Sequence, residues 1–297
     1  MGVCQGEGGD PVSGGTRAAG PVTLPPRAAR GPLRTGRARR VESVMLDLDG
    51  CVWFGNELAP RAAEVIAELR EAGLGVGFLT NISSGSTTTV ADKLTGLGIP
   101  ARPADVLMPI EALAGHPLLA RKPLVYVLGR EEVARAVAQV AATTTDEDAA
   151  DLLVLGRDPH LSYADLAAAV HVLHRGGKLL ALNLDTRVPV EGGRMVPGNG
   201  AIAAALTAAS GVVAESVGKP SPYFFTAALE RFGFDRLTTL MVGDTLDSDI
   251  AGGAASGLVT VLVGGSSFTG SAKPPVPDFS LPQLADLPSL LFAVTRQ

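Results

Sequence analysis

Cysteine is scarce in this chain of 297 residues, which contains only Cys4 and Cys51. The two lie far apart in sequence, so they indicate neither a disulfide framework nor a zinc site, and they fit a reducing cytoplasm. Long apolar runs are missing as well. None approaches the roughly 18 residues that a membrane-spanning helix needs, and the sequence therefore predicts no membrane segment.

Positive charge and aromatic side chains are also in short supply. The net charge of −5 argues against a body that binds nucleic acid, and aromatics make up only 4% of the residues. Apolar residues nevertheless reach 46%, enough for a substantial core built from small aliphatic side chains. Residues 1–40 differ from the rest, because they are rich in Gly, Pro and Arg and lack apolar periodicity, and we predict a disordered tail there.

The most informative stretch that is present is residues 44–53, where a short apolar run ends in Asp47 and Asp49, followed at once by Gly50. Such runs are typical of buried parallel strands, and ligands bind beyond the carboxyl ends of these strands. Residues two apart share one face, so both carboxylates face one crevice if the strand continues. Two carboxylates together require a cation or a proton, and Mg²⁺ takes such oxygen ligands. A strand end followed by a polar turn is the alternative.

The remainder of the chain alternates between apolar strand-like runs and helical patterns, which predicts an α/β fold with parallel sheets. Residues 189–200 are predicted to form a turn region rich in Gly and Pro, and the segment after residue 263 is predicted to be irregular with a short helical end. Further strands are predicted at residues 74–79, 106–108, 124–128, 152–155, 178–182, 237–242 and 258–263.

Polar residues follow several of these strands or lie near them. Each one has an ordinary explanation: a turn at Thr80-Asn81, a solvated surface lysine at Lys219, and acids at a helix N-terminus for Asp247 and Asp249. Their order along the chain favours a single site instead, because the carboxyl ends of parallel strands lie at one edge of a sheet.

Taken together, these motifs resemble the haloacid dehalogenase superfamily of phosphatases. They stand here as DLDG at residues 47–50, TN at 80–81, GKP at 218–220 and GDTLDSDI at 243–250. WFG at 53–55, NLD at 183–185 and PGNG at 197–200 resemble the NagD-like branch, which carries a large α/β cap between the Thr and Lys motifs. DPHLSY at 158–163 resembles its phosphoglycolate and pyridoxal phosphatase members.

The resemblance implies a domain organisation. We expect a Rossmann-like, doubly wound core with a parallel sheet, formed by residues 41–118 and 198–297, and a second α/β domain, the cap, formed by residues 119–197. Residues 1–40 form the tail. Family members often dimerise through the cap, so a homodimer is possible.

The resemblance also implies catalytic roles. Asp47 is the expected nucleophile, which forms an aspartyl-phosphate, and Asp49 is the expected general acid and then general base. Lys219 would neutralise charge on the nucleophile and the phosphate. Thr80 and the Asn81 amide would hydrogen-bond the phosphoryl oxygens.

Mg²⁺ is the implied cofactor. It would be bound by the carboxylates of Asp47 and Asp244 and by the backbone carbonyl of Asp49. Asp249, together with Asp247, would orient metal-bound waters or Lys219 without touching the metal.

The cap is expected to close over the leaving group and to select the substrate. Among its polar residues, His160, Asn183 and Asp185 are the foremost candidates for substrate contact because they lie in the matching segments. Surface or capping roles are the alternative for each of these residues. The other candidates are Arg157, Asp158, Arg187 and Arg194.

The sequence therefore predicts a cytoplasmic, Mg²⁺-dependent phosphatase of small phosphate monoesters such as phosphoglycolate, glycerol phosphate or a nucleoside monophosphate. A nucleotide or sugar phosphate phosphatase is an alternative within the family. A phosphomutase or dehalogenase is another, although a dehalogenase needs neither Asp49 as an acid nor a metal. A non-catalytic metabolite-binding protein is the third, and the presence of all four motifs counts against it.

Overall fold

The computed structural model describes residues 40–190, 194–267 and 275–292. The predicted tail, residues 1–40, lies outside the described residues except for Arg40. The strands, numbered in chain order, are β1 (Ser43–Asp47), β2 (Trp53–Phe54), β3 (Glu57–Leu58), β4 (Gly75–Leu79), β5 (Val106–Leu107), β6 (Leu124–Leu128), β7 (Ala142–Thr144), β8 (Leu152–Leu155), β9 (Lys178–Ala181), β10 (Arg187–Val190), β11 (Arg194–Pro197), β12 (Glu215–Ser216), β13 (Thr239–Thr245), β14 (Val259–Ser267) and β15 (Phe279–Leu281).

Helices connect most of these strands. A π-helical turn, Leu246–Ile250, directly follows β13, and short 3₁₀ turns occur at Pro103–Asp105, Leu113–Gly115 and Leu284–Asp286. The α-helices are α1 (Ala62–Glu71), α2 (Thr87–Gly96), α3 (Pro109–Ala112), α4 (Pro117–Ala120), α5 (Glu131–Ala138), α6 (Tyr163–His174), α7 (Asn199–Ser210), α8 (Pro222–Phe232), α9 (Ala251–Ala255) and α10 (Leu287–Phe292).

The first sheet has six parallel strands in the order β15-β14-β13-β1-β4-β5. Strand β1 is completely buried, with Val44 and Leu46 in the apolar cluster on one face and Met45 in the cluster on the other. The chain runs outward from β1 through β4 to β5, and later extends the sheet on the opposite side through β13. The strand order therefore reverses at β1, the position where such sheets bind ligands.

A second sheet has five parallel strands in the order β12-β9-β8-β6-β7. Helices α6 and α7 cover one face, where Leu173 and Leu206 join the same apolar cluster. Val133 of α5 lies in the cluster on the other face with Val154. The predicted fold class, a doubly wound parallel-sheet core with a second α/β domain, is thereby confirmed. We call the two parts the core unit (first sheet) and the cap unit (second sheet).

The cap unit extends further along the chain than the predicted end at residue 197. Strand β12 pairs with β9, with Glu215 opposite Leu180 and Ser216 opposite Ala181. Helix α7 is the crossover between these two parallel strands and so packs on the cap sheet. Residues 199–216 therefore lie in the cap unit, and we propose a boundary near residue 217.

Seven short strands were not predicted from the sequence, namely β2, β3, β7, β10, β11, β12 and β15. Strands β10 and β11 form an antiparallel hairpin that overlaps the region predicted as turns, β7 has the polar sequence Ala-Thr-Thr, and β15 lies in the segment predicted as irregular. Each of them pairs at a sheet edge or in a two-stranded ribbon and is too short to show the apolar run or the sustained alternation that marks a strand. Within the described residues, no helix combines the length and the apolar character that crossing a bilayer requires.

Candidate active site

Asp47 ends the central strand of the core sheet and is only 4% exposed. Its strand pairs with β4 on one side and β13 on the other, so this carboxylate lies where the strand order reverses. The strand ends at Asp47, so the condition under which both carboxylates would share one strand face, its continuation to Asp49, is not met. The chain turns immediately, with the N–H groups of Val52 and Trp53 both donating to the Leu48 carbonyl at 3.0 Å.

Asp49 reaches the site through that turn and is exposed, in contrast to Asp47. Trp53 Nε1 donates to Asp49 Oδ1 at 2.9 Å, and Thr80 Oγ1 donates to Asp49 Oδ2 at 3.2 Å. Thr80 is completely buried at the end of β4. The contribution of Trp53 was not predicted from the motifs, although a buried indole N–H four residues after an aspartate needs a partner.

Two further carboxylates come from the end of β13. Asp244 lies on the strand, and the π-helical turn that follows carries Asp249 back to it, so that Thr245 N donates to Asp249 Oδ2 at 3.1 Å. Asp249 is completely buried. One carboxylate oxygen from each of Asp47, Asp244 and Asp249 lies within 4.8 Å of the others. The structure thus brings together acids that are about 200 residues apart in sequence.

Two glycines leave room for this crowding. A Cβ on Gly50, whose φ is +90°, would lie 2.4 Å from Asp244 Oδ2. A Cβ on Gly243 would lie 2.4 Å from Asp249 Cγ. A side chain at either position would displace a carboxylate, which explains why glycine accompanies the acids in both motifs.

Lys219 is the counter-charge of this group and is only 3% exposed. Its ammonium donates to Asp47 Oδ1 and, at 2.7 Å, to Asp249 Oδ1. One ammonium among three carboxylates leaves the site negatively charged.

The electrostatic balance of the site is visible in its pKa values. Burial, followed by the charge of Asp249, raises the pKa of Asp47 well above its usual value, against the attraction of Lys219. Burial and the charge of Asp249 raise the pKa of Asp244 as well. Burial alone would lower the pKa of Lys219, but Asp249 and Asp47 outweigh it and raise that pKa. A divalent cation would relieve this crowding of carboxylates.

The donor set fits Mg²⁺, which binds carboxylate and carbonyl oxygens. Both oxygens of Asp249 already accept hydrogen bonds, from Lys219 and from Thr245, so fewer of its lone pairs are free for a cation. Asp47 and Asp244 are therefore the carboxylates best placed to bind the metal. Neither Asp247 nor the Asp49 side chain is part of the three-carboxylate group.

Asn81 and two cap residues form a second cluster beside the site. Asn81 Nδ2 donates to Asp185 Oδ1 at 3.0 Å, and Asn183 Nδ2 donates to the Asn81 carbonyl at 2.6 Å. The Asn81 side chain also bonds both main-chain polar groups of Lys219, accepting from its N–H at 2.9 Å and donating to its carbonyl at 3.1 Å. Burial raises the pKa of Asp185.

The other predicted cap residues lie apart from this cluster. His160 is exposed in the loop after β8, where its backbone N–H donates to Asp158 Oδ1 at 2.9 Å. Among the described residues, no hydrogen bond connects the His160 ring with the carboxylate group. Arg157 is half-buried in the same loop, and Arg187 and Arg194 are exposed on the β10–β11 hairpin.

Comparison with known proteins identifies relatives of both units. Residues 44–143 match the family described as haloacid dehalogenase-like hydrolase, and residues 216–287 match the family described as HAD-hydrolase-like. The two matches include the first carboxylates, Thr80, Lys219, Asp244 and Asp249.

Curated relatives match along most of their length. The glycerol-3-phosphate phosphatase of Homo sapiens is 34% identical, over 83% of this chain and 90% of the relative. The 5'-nucleotidase YutF of Bacillus subtilis is 34% identical, over 74% of this chain and 85% of the relative.

Solved structures share the fold. A double mutant of the thermostable NPPase from Geobacillus stearothermophilus superposes with a TM-score of 0.74 at 34% identity, covering 84% of this chain and 98% of that one. Glycerol phosphate phosphatase Rv1692 from Mycobacterium tuberculosis in complex with magnesium gives a TM-score of 0.68 at 34% identity, covering 75% of this chain and 67% of that one.

Proposed function

Because the chain belongs to the haloacid dehalogenase-like hydrolases, we propose that it is a Mg²⁺-dependent phosphatase that hydrolyses small phosphate monoesters through an aspartyl-phosphate. One observation carries the mechanism. A buried carboxylate, Asp47, is bonded to the ammonium of Lys219, while the exposed carboxylate of Asp49 is held separately by Trp53 and Thr80. The site thus provides a nucleophile and a proton donor in two different environments.

The first step is attack of Asp47 on phosphorus. A phosphate monoester dianion repels an anionic nucleophile, and its uncatalysed hydrolysis is very slow, so charge must be neutralised and the attack aligned. Lys219 donates to Asp47 Oδ1, which holds this carboxylate in place and reduces the negative charge that the nucleophile presents to the phosphate. The bond from phosphorus to the leaving oxygen breaks as the acyl phosphate forms, and protonated Asp49 gives its proton to that oxygen.

The second step regenerates the enzyme. Ionised Asp49 takes a proton from water, the water oxygen attacks phosphorus, and the bond between Asp47 and phosphorus breaks to release inorganic phosphate. The hydrogen bonds from Trp53 and Thr80 hold the Asp49 carboxylate in one orientation through both proton transfers. When bound by Asp47, Asp244 and the Asp49 carbonyl, Mg²⁺ supplies positive charge that offsets the charge of the phosphoryl oxygens.

We propose glycerol phosphate and phosphoglycolate as the leading substrate candidates. The identity with glycerol-3-phosphate phosphatases supports the first, and the DPHLSY segment at residues 158–163 supports the second. A nucleotide or sugar phosphate is the second candidate class, since a 5'-nucleotidase and acid sugar phosphatases are relatives of similar identity. We also predict a cytoplasmic location, a homodimer that forms through the cap unit, and no nucleic-acid partner.

Hydrolysis of p-nitrophenyl phosphate by the purified chain tests the proposal. We expect activity with Mg²⁺, loss of activity in EDTA and recovery when excess Mg²⁺ is added. Absence of hydrolysis in every condition would favour a binding protein, and hydrolysis that EDTA does not change would contradict the metal requirement. A screen of glycerol 3-phosphate, phosphoglycolate, a nucleoside monophosphate and a sugar phosphate, compared by kcat/KM, then identifies the substrate class.

A further inference from the structure

Lys219 reaches the site from a segment that is paired with the cap unit. Val217 N donates to the Ala181 carbonyl at 2.9 Å, and Gly218 N donates to the Leu182 carbonyl at 2.8 Å. These bonds continue the pairing of β12 with β9. The main chain of Lys219 is therefore carried by the cap sheet, while its ammonium bonds to Asp47 at the end of the central core strand.

Asn81 is the core residue that hydrogen-bonds to this segment. Its side-chain amide matches the Lys219 peptide groups, with Oδ1 accepting from Lys219 N and Nδ2 donating to Lys219 O. The fit is tight, because a Cβ on Gly218 would lie 2.6 Å from Asn81 Oδ1. The side-chain amide of Asn81 is thereby occupied by Lys219 and is not available to a phosphate, whereas the main-chain N–H of Asn81 takes no part in these bonds.

Asp185 of the cap unit sets the orientation of this amide. An ionised carboxylate only accepts hydrogen bonds, so Asp185 Oδ1 selects the NH₂ end of Asn81 and leaves the Oδ1 end facing Lys219 N. The main chain of Asp185 is itself held in place, because Gly200 N at the start of α7 donates to the Asp185 carbonyl at 3.0 Å. A Cβ on Gly200 would lie 2.0 Å from the Leu184 carbonyl oxygen, so this approach requires glycine.

We propose that Asn81 is a positioning residue for Lys219, and that Asp185 of the cap unit orients Asn81 for this task. Correct placement of the ammonium on Asp47 then depends on contact between the two units. This assignment gives the side chain of Asn81 a role other than the phosphate contact predicted for the Asn81 amide, and gives Asp185 a role other than the predicted substrate contact; both of those contacts stay predictions. Only one part of this proposal, the catalytic role of Lys219, rests on the proposed function.

The kinetic test compares Asn81→Ala with the unchanged enzyme on two esters, p-nitrophenyl phosphate and glycerol 3-phosphate. Loss of a positioning contact lowers kcat by about 10–100-fold, by the same factor for both esters, with KM changed by less than about threefold. A rise in KM that differs between the two esters would instead show substrate contact and overturn the proposal. Asp148 is an exposed cap carboxylate that is hydrogen-bonded to His171. The control variant Asp148→Asn should therefore leave kcat and KM unchanged.

A paired exchange of side chains tests the orienting role of Asp185. Asn81→Asp alone places two carboxylates together and removes both donors, so its activity should fall below that of Asn81→Ala. The double variant Asn81→Asp, Asp185→Asn restores a hydrogen bond between the two positions and keeps an acceptor for Lys219 N. We expect it to recover at least about tenfold in kcat over Asn81→Asp. No recovery would contradict the role of Asp185.

An activity-independent measurement separates this proposal from the proposed function. The Lys219 N–H donates to Asn81 Oδ1, so its hydrogen exchange should become at least about tenfold faster in both Asn81→Ala and Asp185→Ala. Asp185 makes no hydrogen bond to Lys219, and acceleration in the second variant therefore reports orientation of Asn81. Unchanged exchange in a folded Asp185→Ala variant would overturn the inference. A wild-type chain without phosphatase activity would refute the proposed function and leave this test intact.

Discussion

The Lys219 ammonium donates a hydrogen bond to Asp249 Oδ1 at 2.7 Å, and Asp249 is completely buried. The same ammonium bonds to Asp47, so a single cation connects the end of the central strand with the turn after β13. Asp249 in turn accepts from Thr245 N. Through these two bonds Asp249 fixes both the lysine and the turn that follows Asp244.

Replacing Asp249 tests this relationship. Asp249→Asn keeps the shape of the side chain but removes its charge, which weakens the hold on Lys219 and on the turn beside Asp244. We expect the Mg²⁺ concentration for half-maximal activity to rise about 10–100-fold, measured by titrating Mg²⁺ in the p-nitrophenyl phosphate assay. Asp235→Asn, at an exposed position of the core unit, is the matched control. An unchanged Mg²⁺ requirement would argue against the role assigned to Asp249.

Asp47→Asn tests the nucleophile. An amide oxygen cannot form the aspartyl-phosphate, so hydrolysis should fall below detection, while the nearly identical shape of the side chain preserves the fold. Activity assays and far-UV circular dichroism measure the two outcomes on the same preparation. Wild-type turnover in the folded variant would show that Asp47 does not attack phosphorus.

The glycine at position 50 provides a test of the carboxylate spacing. Gly50→Ala strains a backbone at φ +90° and also places a Cβ 2.4 Å from Asp244 Oδ2. Gly55→Ala is the matched control, because Gly55 has φ +61° and, apart from its own chain neighbours, no atom lies within 4 Å of its Cβ position. Both variants should lose about 1 kcal/mol in unfolding free energy through backbone strain.

The two variants should differ in metal binding. Only Gly50→Ala displaces Asp244, so we expect its Mg²⁺ requirement to rise by at least about tenfold, with little change for Gly55→Ala. Equal Mg²⁺ requirements in both variants would show that the approach of Asp244 to Gly50 does not shape the metal site.

Trp53→Phe tests how Asp49 is held. The variant keeps a buried aromatic ring but loses the Nε1 donor to Asp49, and a hydrogen bond to a charged group contributes about 1.5–3 kcal/mol. We expect kcat to fall by about tenfold or more at saturating Mg²⁺. Lys93→Met removes a cation located 4.1 Å from the centre of the same ring and should leave kcat within about twofold of wild type. Equal losses in both variants would indicate a packing effect instead.

Mg²⁺ should stabilise the fold more as the pH rises. Burial and the charge of Asp249 raise the pKa values of Asp47 and Asp244, so at low pH protons occupy these carboxylates and compete with the cation. Above those pKa values the ionised carboxylates repel one another and destabilise the metal-free fold, because the folded state must give up protons that it binds more tightly than the unfolded state does. The Mg²⁺-induced increase in Tm should therefore be larger at about pH 8 than at about pH 5.5.

Thermal unfolding with Mg²⁺ or with EDTA at each pH measures this difference. Asp244→Asn removes one of the titrating ligands and should reduce both the Mg²⁺-induced increase and its dependence on pH. Equal increases at the two pH values in the unchanged chain would contradict binding of the cation by these carboxylates.

Much of the architecture could be predicted from local patterns. The apolar run that ends at Asp47 indicated a buried strand, and the structure has β1 there with every residue buried. The alternation of strands and helices indicated parallel sheets, because apolar runs and helical periodicity are properties of neighbouring residues. The resemblance of four short motifs, together with their order, then indicated the family and the residues of the candidate site.

The contacts among those residues depended on the packing of the whole chain. Asn81 contacts Asp185 across 104 residues, and Lys219 contacts Asp47 across 172. Such pairs follow from the register of strands in two separate sheets and from the way those sheets meet. Local spacing carries no information on either, which is why the bonds from Asn81 to Lys219, the contact of Thr80 with Asp49 and the extent of the cap unit emerged only from the tertiary structure.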